Sequence, residues 1–270
     1  MSDPNRPIGV FDSGLGGLTV ARAIREALPD ERIVYLGDTA RVPYGSRSAG
    51  TVVRYARGCA SFLQRAGVKA VVVACNTVSA VALDHVRAEL DLPVLGVIGP
   101  GARAAVSATK SGRIGVLATV GTVASGAYPR EIAGISSRCE VFARPAPLLV
   151  PLAEEGWVDG EVPRLAAKRY LQPIVHAGID VLLLGCTHYP LLRAGLEVAL
   201  SDLGAAGMPI VDSASATARA LASFLDERGM RATGGGGSLH LCVTDLPATF
   251  QALATRFLGG AADSFEEVDL

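Results

Sequence analysis

Two cysteines stand at matching places in the sequence, each after a run of apolar residues that predicts a buried strand. Cys75 follows residues 70–74 and Cys186 follows residues 181–185. A small or polar residue and then a predicted helix come next in both cases, and backbone N–H groups at a helix start favour negative charge. A thiolate at such a place is stabilised. The pattern indicates two cysteines that could act as acid and base.

The chemistry open to this pair is inversion of a tetrahedral carbon. If the two sulfur atoms approach a ligand from opposite sides, one thiolate can remove a proton while the opposite thiol returns one to the other face. The pair needs no redox change, although the ordinary thiol pKa of about 8.5 has to be lowered for the base role. The alternative for each cysteine alone is a small hydrophobic residue at the end of a buried strand.

Carboxylates end two further predicted strands. Asp12 and Ser13 end the first strand, and Asp38 ends the second. Asp12 could hold a substrate ammonium group or orient Cys75. As the alternative, Asp12 could cap the helix that follows it.

Polar side chains also follow the two cysteines. His188 lies two residues after Cys186 and could exchange a proton with it, or be a partly buried polar residue. Asn76, Thr77 and Thr187 offer amide or hydroxyl donors to a carboxylate. These residues suit an amino-acid substrate.

Other kinds of site fit the sequence less well. The string Gly14–Thr19 has two glycines of a dinucleotide fingerprint but Thr19 in place of the third, so NAD binding is weakly supported. Only three lysines are present, and none lies in a motif that could hold pyridoxal phosphate. A zinc centre made of Cys75, Cys186 and His188 is an open alternative, but we predict neither a metal nor a cofactor.

The elements that must position these residues are short apolar runs alternating with helical segments, a pattern typical of successive βα units around parallel sheets. The predicted strands are 8–11, 33–36, 70–74, 94–98, 114–117, 139–142, 181–184, 210–211 and 239–243. The predicted helices are 18–28, 49–66, 78–90, 102–108, 125–133, 162–176, 191–200, 214–227 and 247–257.

Internal repeats indicate that the chain contains two versions of one βα unit set. Three pairs of segments match in the same order: 8–13 with 114–119, 71–77 with 182–188, and 93–95 with 209–211. The alternative is that buried strands simply resemble one another. We expect an α/β fold of two similar parallel-sheet α/β domains related by pseudo-two-fold symmetry, with the active site in the cleft between them.

The predicted domain boundaries lie at two crossings of the chain. The string Gly99-Pro100-Gly101 predicts the first crossing, and 207–209 predicts the return. Residues 1–98 and 210–270 would form the first domain, and residues 99–209 the second. The acidic tail after Asp263 would be solvated.

Composition excludes several classes of protein. The 270 residues carry 25 basic and 26 acidic side chains, so no bulk positive field favours nucleic acid. No apolar run reaches the roughly 18 residues that span a bilayer. Five cysteines without a C-x-x-C motif suggest neither a disulfide framework nor a zinc ribbon. Without a signal-like start, we expect a cytoplasmic protein with no membrane partner.

Five strings in the chain closely resemble the signatures of the glutamate racemases, within the aspartate/glutamate racemase superfamily. They are Asp12–Val20 (DSGLGGLTV), Gly37–Thr39 (GDT), Pro43–Gly45 (PYG), Ala74–Thr77 (ACNT) and Leu184–Leu191 (LGCTHYPL). The resemblance runs from Ile8 to about Leu225. It implies a cofactor-independent two-base racemase that interconverts L-glutamate and D-glutamate and supplies the D-isomer for peptidoglycan.

The resemblance also implies roles for individual residues. Cys75 would be the base for D-glutamate and Cys186 the base for L-glutamate, with Asp12 and His188 assisting. Asp38 and Glu154 would support them, and Glu155 is the carboxylate next to Glu154 in sequence. The implied substrate contacts are Asp12, Ser13, Tyr44, Gly45, Asn76, Thr77, Thr119, Thr122, Thr187 and His188. A homodimer is the expectation of the family.

Three alternatives remain open on the sequence. A relative could act on another amino acid, as an aspartate or hydantoin racemase does. A binding or inhibitory protein could use the same scaffold, since some glutamate racemases are linked to inhibition of DNA gyrase. A cysteine hydrolase could use Cys186 with His188, but it would leave Cys75 without a role.

Overall fold

The computed structural model describes residues 3–246 and 250–270, which form two parallel sheets with surrounding helices. The strands are β1 (Ile8–Asp12), β2 (Ile33–Gly37), β3 (Ala70–Val73), β4 (Val94–Gly96), β5 (Arg113–Ala118), β6 (Glu140–Pro145), β7 (Val181–Gly185), β8 (Ile210–Asp212), β9 (Leu239–Val243) and β10 (Ser264–Glu267). The helices are α1 (Leu18–Ala27), α2 (Ala49–Arg65), α3 (Asn76–Val81), α4 (Leu83–Glu89), α5 (Ile98–Ala108), α6 (Val120–Ser125), α7 (Ala127–Ile135), α8 (Leu149–Glu155), α9 (Glu161–His176), α10 (Arg193–Asp202), α11 (Ser213–Glu227) and α12 (Phe250–Leu258).

The two sheets share one strand order. The first sheet runs β10-β9-β2-β1-β3-β4 and the second runs β6-β5-β7-β8, and all the paired strands are parallel. The order β2-β1-β3-β4 matches β6-β5-β7-β8, so β3 and β7 are equivalent strands. The prediction of two similar parallel-sheet α/β halves is confirmed. Because Cys75 follows β3 and Cys186 follows β7, the two cysteines occupy equivalent places.

Helices cover both faces of the central strands, which is why these strands read as continuous apolar runs. In β1, Val10 packs in a cluster with residues of α1 and α11, whereas Phe11 packs in a second cluster with residues of α2. The second sheet is likewise buried between two clusters. Among the described residues, no helix combines the length and the apolar character needed to cross a membrane.

Near both predicted crossings, the local structure differs from the expectation. Gly99-Pro100-Gly101 is not a turn but lies in the first turn of α5, where a proline removes no helical hydrogen bond. Residues 210–212 were placed with the first domain, but they form β8 and pair with β7 of the second sheet. This pairing satisfies their backbone groups and extends the second sheet to Asp212. The rest of the predicted domain division stays a prediction.

Several element predictions also differ from the structure. The predicted helices 78–90 and 125–133 are each two helices, with breaks at Ala82 and at Gly126, whose φ is +65°. The predicted helix 247–257 begins in three residues that lie outside the described part of the chain, and α12 covers the remainder. The acidic tail is exposed as expected, but it contains a strand, β10, at the edge of the first sheet.

A buried ion pair joins four segments of the first half. Lys69, just before β3, lies with its Nζ atom 2.5 Å from a carboxylate oxygen of Glu31, and both side chains are almost fully buried. The same Nζ atom donates to the carbonyl oxygens of Pro4 and Met230, at 2.5 and 2.8 Å. All three N–H donors of the Lys69 ammonium group therefore have acceptors inside the fold.

Candidate active site

A cavity of about 390 Å³ lies where the carboxyl ends of the two sheets face each other. Eleven residues singled out by the sequence line it: Ser13, Tyr44, Gly45, Cys75, Asn76, Thr77, Thr119, Glu154, Cys186, Thr187 and His188. Three larger surface hollows, of about 840, 650 and 540 Å³, have no cysteine among their described lining residues. The chemistry of the lining, rather than size, therefore identifies the candidate site.

Cys75 lies at the start of α3, directly after β3, and is 5% exposed. Its thiol donates to the hydroxyl of Ser13, with Sγ and Oγ 3.6 Å apart. Burial and the nearby carboxylate of Asp12 raise the pKa of Cys75 to about 12, against the lowering effect of the backbone N–H of Val78. At neutral pH Cys75 is therefore a thiol, ready to give a proton.

Asp12 lies behind Ser13 and is buried, so it does not itself line the cavity. Its Oδ2 atom accepts the backbone N–H groups of Gly14 and Gly17, at 3.2 and 3.0 Å. Its Oδ1 atom is buried without a hydrogen-bond partner among the described residues. Burial raises the pKa of this carboxyl group, whereas His188 and the two N–H groups act to lower it.

On the opposite side of the cavity, Cys186 is linked through a histidine to a carboxylate. The Nδ1 atom of His188 lies 3.8 Å from Sγ of Cys186, and its Nε2 atom lies 3.0 Å from Oε1 of Glu154. Burial lowers the pKa of His188, but its contacts with Cys186 and Glu154 outweigh burial and raise the pKa to about 10. At neutral pH both ring nitrogens of His188 therefore carry a proton, and the ring is a cation next to Cys186. The structure thus brings Glu154, which the resemblance named, to His188.

Close packing fixes the ring of His188. A Cβ atom at Gly16 would lie 2.4 Å from ring atoms of His188 and from the hydroxyl of Thr187, so only glycine fits there. Phe257 of α12 meets the imidazole edge to face, with ring centroids 5.2 Å apart. Sequence reasoning missed both contacts. The glycine-rich string around Gly16 could have signalled a close approach, but nothing local pointed to Phe257.

Hydroxyl and amide groups form one wall of the site. The hydroxyls of Thr77 and Thr119 lie 3.0 Å apart, and Thr122 lies within 3.0 Å of Thr119. Thr122 is buried behind this wall and does not line the cavity. Asn76 is fixed by Tyr128, which donates its hydroxyl to the Asn76 side-chain oxygen at 2.6 Å. This wall can donate hydrogen bonds to a substrate carboxylate.

Asp38 supports the site from behind. It is completely buried and lies outside the cavity lining, where it accepts the hydroxyl of Tyr44. Arg41 and Thr244 also bind its carboxylate, at 2.7 and 2.9 Å. Tyr44 is held at the cavity by this group, so the structure gives Asp38 a positioning contact rather than access to a ligand.

An apolar part of the lining was not predicted. Pro147, Val150 and Pro151 line the cavity at and before α8, a helix that the sequence did not reveal. The helix is only seven residues long and carries two carboxylates at its end, which hides its amphipathic pattern. It matters because it delivers Glu154 to His188.

Comparison with known proteins gives the family. The sequence model for the Asp/Glu/hydantoin racemases matches residues 8–221, most of the chain. The chain belongs to this family.

Individual members of the Asp/Glu/hydantoin racemase family are similar over almost their whole length. A glutamate racemase of Geobacter metallireducens is 49% identical over 270 residues, covering 99% of this chain and 98% of that protein. Among solved structures, a glutamate racemase isoform of Bacillus anthracis is 38% identical with a TM-score of 0.93, covering 99% of this chain and 98% of that one. A glutamate racemase of Francisella tularensis in complex with D-glutamate is 37% identical, with a TM-score of 0.91 and 98% coverage of both chains.

Proposed function

We propose that this protein interconverts L-glutamate and D-glutamate, with Cys75 and Cys186 as the two bases. The observation that carries the proposal is that both cysteines, at equivalent strand ends of the two halves, line one cavity. The similar proteins in Geobacter metallireducens and Francisella tularensis are glutamate racemases, which supports glutamate as the substrate. The cavity is also of a size for a small amino acid.

The proposed reaction consists of two proton transfers on opposite faces of the α-carbon. From L-glutamate, the thiolate of Cys186 takes the α-proton, and the electron pair stays on the substrate as a carbanion. The thiol of Cys75 then gives its proton to the other face and becomes a thiolate. From D-glutamate the roles are reversed. No electron leaves the substrate, so the scheme needs no redox cofactor.

The two cysteines differ in their surroundings in a way that suits this order. A cationic imidazole stabilises a thiolate in contact with it, and His188 is such a group beside Cys186. Cys75 instead faces the carboxylate of Asp12 and keeps its proton at neutral pH. The two sides of the cavity therefore differ in charge, with a cationic imidazole beside Cys186 and a carboxylate near Cys75.

The remaining polar residues would bind the substrate. We assign the α-ammonium group to the side of the cavity at Ser13, because the buried carboxylate of Asp12 behind it would attract the cation without contacting it. The carboxylates of the substrate would accept hydrogen bonds from hydroxyl, amide and backbone groups that line the cavity. These residues are Ser13, Tyr44, Gly45, Asn76, Thr77, Thr119 and Thr187.

The wider role follows from the product. D-glutamate made in this way would supply peptidoglycan synthesis. A homodimer stays a prediction from the resemblance, and a cytoplasmic location stays a prediction from the sequence.

The test is racemisation in deuterated water. L-glutamate and D-glutamate are each incubated with the metal-free protein, and optical rotation and loss of the α-proton signal are followed. We expect Cys75→Ala and Cys186→Ala each to lower the rate by at least about 10²–10⁴-fold, the usual contribution of a general acid or base. Cys139→Ala, which removes a cysteine outside the cavity, is the matched control.

Two results would contradict the proposal. Racemisation that survives either substitution would remove the two-thiol mechanism. A wild-type protein that leaves glutamate unchanged but racemises aspartate would keep the mechanism and change the substrate.

A further inference from the structure

A histidine, a cysteine and a glutamate meet at the outer edge of the first sheet. His240 and Cys242 lie on one face of β9, and Glu266 of β10 stands opposite Cys242 in the parallel register. The Nε2 atom of His240 lies 3.0 Å from Oε1 of Glu266, and Sγ of Cys242 lies 3.5 Å from the same oxygen. One ligand atom from each side chain lies within 4.8 Å of the other two.

We propose that these three side chains, the β9–β10 cluster, bind a divalent cation of the zinc type. Zinc takes nitrogen, sulfur and oxygen ligands at about 2.0–2.3 Å in a tetrahedron, which places nitrogen and oxygen about 3.3 Å apart and sulfur and oxygen about 3.6 Å apart. The distances in the cluster, 3.0 and 3.5 Å, are close to these edges. The third distance, from the histidine nitrogen to Sγ of Cys242, is no more than 4.8 Å, so side-chain movements would bring the three ligands onto one ion.

A hydrogen bond to Ser264 orients the histidine for this role. The Oγ atom of Ser264 lies 2.6 Å from Nδ1 of His240, so the ring is held with Nε2 towards Glu266 and Cys242. Histidines that bind metals commonly make such a hydrogen bond through the other ring nitrogen. Ser264 and Glu266 both come from β10, which means that one strand supplies a ligand and the support of another ligand.

The cluster can be reached from the side of His240 and Glu266, although Cys242 is buried, and it is separate from the racemase cavity. The side chains of His240 and Glu266 are 35% and 54% exposed, which leaves a path for the ion and room for water at a fourth position. None of the three residues lines the cavity. Binding would release the thiol proton of Cys242 to solvent, and the two negative ligands would balance the charge of the ion.

A bound ion would cross-link the strands β9 and β10 and so stabilise the fold. The strand β10 is a four-residue edge strand with every residue exposed, so little apolar burial holds it in place. An ion that binds the folded state alone stabilises it in proportion to its concentration over the dissociation constant.

Metal binding to the reduced, metal-free full chain tests the proposal. Co²⁺ is titrated while absorbance is recorded, and Zn²⁺ affinity is measured by competition with a coloured chelator. We expect one ion per chain with a thiolate-to-cobalt charge-transfer band. Cys242→Ser should abolish the band. Ser264→Ala should weaken Zn²⁺ binding by about 10–100-fold, the usual cost of removing a hydrogen bond to a metal-binding histidine.

A comparison of Glu266→Gln with Glu267→Gln separates metal binding from effects on folding, because the two substitutions make the same change on the same strand. Both side chains lie on β10 and are exposed, but neighbouring residues of a strand point to opposite faces. Zn²⁺ should bind at least tenfold more weakly to Glu266→Gln and with unchanged affinity to Glu267→Gln. A double variant, Cys75→Ser with Cys186→Ser, should keep the cobalt band. Equal affinity in the matched pair, a band that persists in Cys242→Ser, or a band lost in the double variant would overturn the proposal.

Discussion

Glu154 lies with its Oε1 atom 3.0 Å from Nε2 of His188, and it reaches the histidine from the end of α8. Arg256 of α12 donates to the backbone carbonyl of Glu154, so the end of α8 is tied to a helix of the other half of the molecule. The carboxylate therefore connects the protonation of His188 to the way the two halves meet.

Glu154→Gln should lower activity most at alkaline pH. His188 holds its proton at neutral pH and loses it as the pH rises through about 10. Removing the carboxylate removes one cause of the raised pKa, so His188 should lose its proton at a lower pH. The racemisation rate is measured from L-glutamate and from D-glutamate between about pH 6 and about pH 11. In Glu154→Gln, the loss of activity at alkaline pH should begin at a lower pH than in the wild type. Glu155→Gln removes the neighbouring exposed carboxylate and should leave the profile unchanged.

Asp12→Asn should make the thiol of Cys75 easier to ionise. The Asp12 carboxylate opposes a second negative charge at Cys75, and its removal lowers the thiol pKa from about 12. The measurement is the alkylation rate of Cys75 by iodoacetamide across pH, read by mass spectrometry. We expect the rise in rate to begin at a lower pH in Asp12→Asn, even though racemisation falls. Alkylation of Cys139, measured on the same samples, should not move, and an unshifted Cys75 profile would refute the electrostatic role of Asp12.

Gly16→Ala should damage the site without unfolding the protein. The new Cβ atom would lie 2.4 Å from the ring of His188, so the ring must leave the position in which it contacts Cys186 and Glu154. Overpacking of this kind costs about 1–3 kcal/mol, and a misplaced catalytic group can cost about 100-fold in rate. Thermal unfolding and kcat measure the two effects. Gly50→Ala, in α2 with nothing within 4 Å of the added atom, is the control and should be neutral or slightly stabilising.

Lys69→Met should destabilise the fold strongly. It leaves the buried carboxylate of Glu31 without its cation, and breaking a buried ion pair in this way costs about 3–5 kcal/mol. Denaturant unfolding gives the free energy of unfolding directly. Glu26→Gln breaks the exposed pair with Arg22 and should cost less than about 1 kcal/mol. A similar cost for both substitutions would show that burial of the Lys69 pair is not decisive.

The strands and their equivalence could be predicted because buried parallel strands are continuous apolar runs, as in 70–74 and 181–184. The strand β10 could not, since SFEE at the sheet edge is exposed and has no apolar run. The first turn of α5 was not predicted because Gly99-Pro100-Gly101 are turn formers in most contexts. In the structure, Ile98 and Ala102 on either side of them pack in a cluster of the second half.

The candidate site divides in a similar way. Cys75 and Cys186 could be found from their position after strands, because that position fixes where a side chain goes. The contact between Glu154 and His188 joins residues far apart in sequence, and only the resemblance pointed to it. Phe257 against His188 and Glu266 against Cys242 depend on how distant segments pack, which no local pattern encodes.

The strand order also sets what the growing chain can complete during synthesis. The second sheet uses one continuous segment from Arg113 to Asp212, whereas Ile33 of β2 pairs with Leu239 of β9. During synthesis, the second sheet can be complete before β9 has left the ribosome. Until then, the edge of β2 that pairs with β9 has no partner strand. Open edges are where chains associate wrongly. The late strand β9 therefore covers the exposed edge of the early strand β2. A product truncated before β9 would have a complete second sheet but would aggregate through β2.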